Sequence, residues 1–280
     1  MRPGICLFTK ILLMGCAFMI PGMSALAEEG RQLIMATTTS TDNTGLLEYL
    51  EPHFEKETGI NLRWTATGTG KALELGKNCD VDVLLVHAPE AEKKFVENGH
   101  GKNRTEIMYN DFVITGPESD PAGIRGKPAA RALDLIKDRQ EDFVSRGDDS
   151  GTHKKELSLW QEADPDVPDK QAWYIQTGQG MLASIRIAEE RSAYIMTDRG
   201  TYIKYEHEKN GNPGLEILVE GGAPLRNQYS VIEVNPEKCP GAEADAAREF
   251  SDWMAGKQAR QLISDFKLLG KTLFTPNPGK

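Results

Sequence analysis

Cysteine and histidine are both scarce here, four of one and five of the other among 280 residues. His53, His87, His100, His153 and His207 are dispersed, with no spacing that would present two of them to one metal ion. A basic excess is also missing. The 33 Lys and Arg are outnumbered by 42 Asp and Glu, so nucleic acid and anionic membrane surfaces are not expected partners. Beyond the first 27 residues no apolar run is long enough to span a bilayer, and there is no internal repeat or low-complexity segment. Catalytic signatures are absent too. No G-x-S-x-G nucleophile turn occurs. Gly68-Thr69-Gly70-Lys71 invites comparison with a phosphate-binding P-loop, but Thr65 stands where a glycine is needed and Ala72 where Ser or Thr is needed. Leu73 occupies the third glycine position of a dinucleotide fingerprint. An enzyme is therefore not expected. The rival of that class is a hydrolase using His153, beside Ser150-Gly151-Thr152, for which no nucleophile or metal partner is evident.

What is present begins with a leader. Residues 1–27 carry Arg2 and Lys10, no acid, an apolar stretch from Ile11 to Ile20, a Pro21-Gly22 break and the small-x-small pattern Ala25-Leu26-Ala27. That is a secretory signal, cleaved near Ala27 and delivering the chain to the periplasm. Leu13-Met14-Gly15-Cys16 loosely resembles a lipoprotein site, but apolar residues continuing past Cys16 argue against a lipid anchor. The mature chain keeps 31 basic and 42 acidic residues, a net charge of −11. It also keeps Cys79 and Cys239, which read equally well as a disulfide in an oxidising compartment and as a buried pair of free thiols.

Short β-rich runs then alternate with amphipathic helical runs. Leu33–Met35 reads as a strand, and Leu46–Thr58 as a helix with Leu46, Leu47, Leu50 and Phe54 on one stripe and Gly59 as its C-cap. Ile60–Ala66, Val81–Val86, Asp111–Thr115, Ala193–Met196, Leu215–Val219 and Tyr229–Val234 read as strands. Lys71–Gly76, Ala88–Val96, Ala129–Ile136, Gly151–Ala163, Gly180–Glu190 and Ala242–Asp265 read as helices. Asp80 and Asp82, flanking Val81, read as solvated strand-edge residues. This alternation implies an α/β fold with mostly parallel sheets flanked by helices. Two such units suggest two lobes, with crossings near 113–118 and 229–235: residues 28–114 and 233–280 form lobe 1 and residues 115–232 form lobe 2.

Four strand-to-helix junctions share one composition: Thr37-Thr38-Thr39-Ser40, Thr67-Gly68-Thr69-Gly70, Arg146 to Thr152, and Thr177-Gly178-Gln179-Gly180. A helix N-terminus exposes N–H groups without intrahelical partners, and its dipole favours negative charge. Glycines let the backbone approach a ligand and hydroxyls add neutral donors, so several such junctions in one cleft make a cage for a small oxyanion. Against this stands ordinary capping, for which Ser and Thr are the usual residues. Arg146 adds a planar fork suited to tetrahedral oxyanions, with Ser150-Gly151-Thr152 close behind it and Asp148 placed to orient it or to cap the helix.

The chain resembles the periplasmic tungstate-binding proteins of Tup-type ABC transporters, over nearly all of its mature length. The resemblance rests on TTTS (Thr37 to Ser40), GTGKALELG (Gly68 to Gly76), DVDVLLVHAPEAE (Asp80 to Glu92), NDFVITGP (Asn110 to Pro117), SRGDDSGTHKKE (Ser145 to Glu156) and YIMTDRGTY (Tyr194 to Tyr202). It implies a type II periplasmic binding protein, two α/β lobes joined by a two-crossing hinge. Tungstate would sit between them, held by Thr37, Thr38, Thr39, Ser40, Gly68 and Thr69 on one side and by Arg146, Ser150, Gly151 and Thr152 on the other. A permease and an ATPase are the implied partners, the protein acts as a monomer, and no cofactor or metal cation is expected. Molybdate and phosphate are the alternative ligands within the fold. Phosphate keeps a proton at neutral pH and gains from a carboxylate acceptor in the cage, so the direction in which Asp148 and Asp149 point is the discriminating observation. Asn78-Cys79 departs from the family pattern, in which a turn residue such as Gly is expected, and this departure makes a Cys79–Cys239 bridge within lobe 1 a hypothesis for a thiol count to test.

Overall fold

The computed structural model describes Met1, residues 31–164 and residues 166–279. The expected leader, with Cys16 inside it, lies outside the described residues. β1 (Gln32–Thr38) runs directly into α1 (Thr39–Asp42), a single turn, and then α2 (Leu46–Thr58). Leu46, Leu47, Leu50 and Phe54 are buried along α2, and Gly59 ends it at φ +69°, a left-handed position where a residue without Cβ is least strained. β2 (Asn61–Thr67), α3 (Thr69–Lys77), β3 (Val83–Val86) and α4 (Pro89–Glu97) complete the first α/β unit before the long β4 (Gly101–Gly116). The second unit comprises α5 (Ala129–Arg139), β5 (Phe143–Ser145), α6 (Gly151–Ala163), β6 (Tyr174–Gln176), α7 (Met181–Arg191), β7 (Tyr194–Asp198), α8 (Arg199–Glu208) and β8 (Glu216–Val219). β9 (Arg226–Val234) returns to the first unit. It is followed by α9 (Ala244–Ala255), α10 (Lys257–Asp265) and the short strands β10 (Lys267–Leu268), β11 (Lys271–Thr272) and β12 (Thr275–Pro276).

The strands follow the order β2-β1-β3-β9-β4-β7-β5-β6. β1 is parallel to β2 and β3, and β5 to β6 and β7, as the alternating pattern predicts. β9 and β4, which carry the chain between lobes, run antiparallel to their neighbours. β4 belongs to both lobes: residues up to Asp111 pair with β9, and Phe112–Thr115 pair with β7. The return crossing lies between Val219, paired with Ile114, and Arg226, paired with Asp111. Strand pairing thus puts residues 226–232 in the first sheet, ahead of the boundary at 233 expected from sequence. An apolar alternating strand reads the same in either lobe, and only its partners fix where it belongs. At the hinge Arg199 donates to both carboxylate oxygens of Asp111, at 2.5 and 2.6 Å, and to Glu220 at 2.6 Å, bridging the two crossings.

Each sheet is covered on both faces. Along β3, Val83 and Leu85 join the core under α2 and α9, whereas Leu84 and Val86 join the one under α3 and α4. In the second lobe Phe112 and Ile114 pack with α5 and α6, and Val113 with α7 and α8. Strands buried on both faces read as continuous apolar runs, as VLLV does. Asp82 differs from its expected solvated role: it is 7% exposed, and its carboxylate accepts from the Ile34 and Glu243 N–H groups at 2.8 and 2.9 Å, fastening α9 to the sheet. Cys79 and Cys239 form a disulfide across 160 residues of chain, within the first lobe. The tail helix expected as one piece breaks at Gly256, where a Cβ would stand 2.9 Å from the Trp253 carbonyl oxygen.

Candidate functional site

The hydroxyl run at the end of β1 divides by side-chain direction. Thr37 is fully buried and donates to the Leu85 carbonyl at 2.8 Å, so its hydroxyl serves the sheet. Thr38, on the opposite side of the strand, caps α1 by accepting from the Thr41 N–H at 3.2 Å. Its Oγ1 also lies 3.0 Å from Ser40 Oγ and 2.7 Å from Thr41 Oγ1. Thr39 is exposed at the first position of α1. The cluster is therefore Thr38, Ser40 and Thr41, one residue displaced from the TTTS run.

His87, at the C-terminal end of β3, joins this cluster. Its Nε2 is 3.0 Å from both Ser40 Oγ and Thr38 Oγ1, and its Nδ1 is 2.9 Å from Asn227 Oδ1. The ring stacks on Tyr229 at 4.8 Å between centroids. Asn227 in turn donates to Asn110 at 2.7 Å, linking β9 to β4 at the hinge. Desolvation holds His87 below the ordinary histidine range, against the Asn227 hydrogen bond and the charge of Asp198. The sequence held a signal for this residue that spacing could not expose: His87 ends a buried parallel strand, the position at which open α/β sheets place ligand-binding groups.

Gly68 and Thr69 begin α3. Gly68 is its N-cap without a side-chain capping bond, which leaves first-turn N–H groups free. Thr69 is 8% exposed. In the second lobe Ser150 caps α6 by accepting from the His153 N–H at 3.3 Å. The Gly151 and Thr152 N–H groups stand in the first turn of the same helix, and Thr152 is 7% exposed. Asp148 accepts from Arg146 Nη2 through one oxygen and from the Ser150 N–H, at 3.2 Å, through the other. Desolvation alone would push its carboxyl above the usual carboxylate range, but the Ser150 bonds and the Arg146 charge together hold it below that range. Asp149, largely exposed, pairs with Lys154 at 3.4 Å. Arg146 Nε is buried and has no acceptor among the described residues. His153 accepts the Asp149 N–H on Nδ1 at 3.0 Å, a loop-bracing role.

The Arg146 loop is braced from below. Ser145 Oγ accepts from the Gly147 N–H at 3.3 Å and donates to Glu156 at 2.8 Å. Glu156 also accepts from Tyr174 and Trp160, and burial pushes its carboxyl up to about 7. Gly147 is required where it stands: at φ +59°, a Cβ would lie 2.7 Å from Gln176 Cβ. The fourth junction is internal, since the Thr177 hydroxyl bonds the Ser145 and Arg146 carbonyls and Ser184.

The two halves meet. A Cβ built on Gly151 of lobe 2 would be 3.8 Å from Thr69 Oγ1 and 3.8 Å from His87 Cε1 of lobe 1. The α6 N-terminus thus faces the α3 N-terminus and the hydroxyl cluster, with Arg146 tied to that terminus through Asp148. Of the sequence candidates, Thr38, Ser40, Thr69, Gly151 and Thr152 stand around this junction, with Gly68, Ser150 and Arg146 flanking it. Thr37 is turned into the sheet. His87, Thr41 and Asn227 are additional.

A family model described as a PBP superfamily domain matches residues 25–258. The tungstate-binding protein TupA of Campylobacter jejuni is 52% identical over 235 residues, covering 84% of this chain and 87% of that protein. The TupA of Peptoclostridium acidaminophilum is 44% identical over 253 residues, covering 89% of this chain and 86% of that protein. The solved structure of the tungstate-binding protein TupA from Desulfovibrio alaskensis G20 superposes with a TM-score of 0.86 at 61% identity, covering 89% of this chain and all of that one. With the strand order, the two crossings and the opposed helix termini in place, these relationships establish that the chain belongs to the TupA family of the PBP superfamily.

Proposed function

We propose that this protein is the solute-binding component of an ABC importer, capturing tungstate between its lobes and delivering it to a membrane permease. The observation that carries the reading is the imbalance of donors over acceptors where the lobes meet. Thr38 and Ser40 supply hydroxyls, Gly68-Thr69 and Gly151-Thr152 supply first-turn N–H groups, and Arg146 supplies a charged fork. The nearby carboxylates are committed to donors of the protein: Asp148 to Arg146 and the Ser150 N–H, Asp149 to Lys154, and Asp198 to the Thr201 N–H and hydroxyl. A cage of donors without a carboxylate acceptor suits a fully deprotonated dianion and disfavours phosphate, which carries a proton at neutral pH. The names of the relatives favour tungstate among such dianions. Molybdate has nearly the same size and charge and is expected to enter the same cage.

The acidic net charge of −9 for the whole chain gives no long-range attraction for an anion, so local donors must provide the affinity. Export to the periplasm, action as a monomer, and a permease–ATPase partner complete the reading. Among the described residues no helix is long and apolar enough to cross a membrane. Equilibrium dialysis against sodium tungstate, followed by tungsten analysis, tests it. One tungsten retained per chain is expected, and no retention overturns the proposal.

A further inference from the structure

We propose that His87 is a proton-linked positioning residue of the anion cage: as the dianion binds, the ring takes up a proton from solvent and releases one hydroxyl of the Thr38–Ser40–Thr41 cluster to donate to the anion. The inference rests on the tungstate reading above and adds its pH control. It follows from a count of donors and acceptors. Asn227 Nδ2 donates to Asn110 Oδ1 at 2.7 Å and to Tyr229 Oη at 3.2 Å. Its Oδ1 is therefore the atom facing His87 Nδ1 at 2.9 Å. An amide oxygen can only accept, so Nδ1 carries the proton.

In the neutral ring Nε2 is then bare. It lies 3.0 Å from Ser40 Oγ and 3.0 Å from Thr38 Oγ1 and accepts a hydrogen bond from one of them. The cluster holds three hydroxyl protons, and the neutral imidazole consumes one, leaving it unavailable to an anion. In the imidazolium Nε2–H donates instead, and the consumed proton returns to the cluster. A core histidine satisfied on both nitrogens is the ordinary reading of such a ring. What separates His87 from that reading is the identity of its partners, which are hydroxyls at the lobe junction, and the approach of Gly151 from the opposite lobe to within 3.8 Å of Cε1 when a Cβ is built there.

The groups facing the ring set the direction of the effect. Tyr229 stacks on it from β9, and Asn227 accepts from it on the same strand. Asp198, the N-cap of α8 in the second lobe, bears on it with a negative charge. The first turn of α6 faces it with a positive dipole end. Burial disfavours the charged ring in the empty protein, and a bound dianion offsets that cost by attracting the charged form. The ring is thus held below its usual range when the site is empty and raised when it is filled. Affinity is full below the lower of the two values and falls as pH rises through the upper one, by about tenfold per pH unit at most for one linked proton.

Calorimetry of tungstate binding in buffers of different ionisation enthalpy, across roughly pH 6.5 to 9, reads proton uptake directly. Net uptake by the native protein and its loss in His87→Gln is expected. Binding without uptake, or uptake that persists in His87→Gln, overturns this inference and leaves the tungstate reading standing. No binding at any pH overturns both. Should His87→Gln fail to fold, ring nitrogen shifts of His87 in the native protein decide the matter. The Nδ1–H tautomer in the free protein and a doubly protonated ring with tungstate are expected, and one unchanged state in both overturns it.

Discussion

Replacing Arg146 with glutamine separates a ligand-binding arginine from a loop brace. One arm of the guanidinium, Nη2, is held by Asp148, whereas the buried Nε has no acceptor among the described residues. A donor left in that condition costs about 1–3 kcal/mol, and an anion that accepts from it removes the cost while gaining a charge-assisted bond of about 1.5–3 kcal/mol. Glutamine fills part of the space without the charge, and Asp148 keeps its bond from the Ser150 N–H. The expected loss in tungstate affinity is therefore about 10- to 150-fold. Stability of the empty protein should change by less than about 1 kcal/mol, because the substitution removes an unsatisfied donor along with an ion pair that is partly open to solvent. Arg146→Lys keeps the charge, loses the planar fork and should fall between the two. Tungstate calorimetry and urea unfolding of the same preparations read both quantities. Native affinity in Arg146→Gln together with a lowered unfolding midpoint would refute the reasoning and make the arginine a brace.

The hydroxyl cluster gives a paired test: Thr37→Val, which loses only a bond to the Leu85 carbonyl, should leave tungstate affinity near native, while Ser40→Ala should weaken it; the reverse order would contradict the division by strand face. Glu156 makes stability pH-dependent. Its folded value of about 7 lies above the ordinary 4.5, so its contribution is complete below about pH 4.5 and is lost as pH rises toward about 7, by on the order of 3 kcal/mol. Urea midpoints of Glu156→Gln should vary less with pH than native ones across that window, and parallel curves would count against the assignment. Reduction of the Cys79–Cys239 bridge should lower stability by about 2–5 kcal/mol, and a thiol titration of the unfolded, unreduced protein that finds both cysteines free would remove the bridge from the account.

The strong features of the fold were open to a reader of the sequence because each carries its own local physics. α2 declares itself through a 3.6-residue apolar stripe and a glycine stop, and β3 through an unbroken buried run. α8 was not legible: its buried face is Gly200, Tyr202, Ile203 and Tyr205, too polar a mixture to stand out as a stripe. The three-residue strands β5 and β6 are too short for any period to show. The site was half legible for a related reason. A run of hydroxyls at a strand end marks a candidate, but which of Thr37 and Thr38 faces the ligand depends on the face each presents, and that is settled by the neighbour β3. Metal-ligand and catalytic spacing do not mark His87, because its importance comes from contacts with residues 47 and 140 positions away. The direction of Asp148 is set by the folded loop, within which both of its oxygens are committed.

The central claim is that a donor-only cage selects a fully deprotonated dianion. Calorimetric titration of ligand-stripped protein with tungstate, molybdate, sulfate and phosphate, at one pH and one salt concentration, tests it most directly. Tight one-to-one tungstate binding is predicted, with molybdate entering the same site and with sulfate and phosphate far weaker. Phosphate binding as tightly as tungstate would contradict the account, because it would require a carboxylate acceptor that Asp148 and Asp149 do not provide.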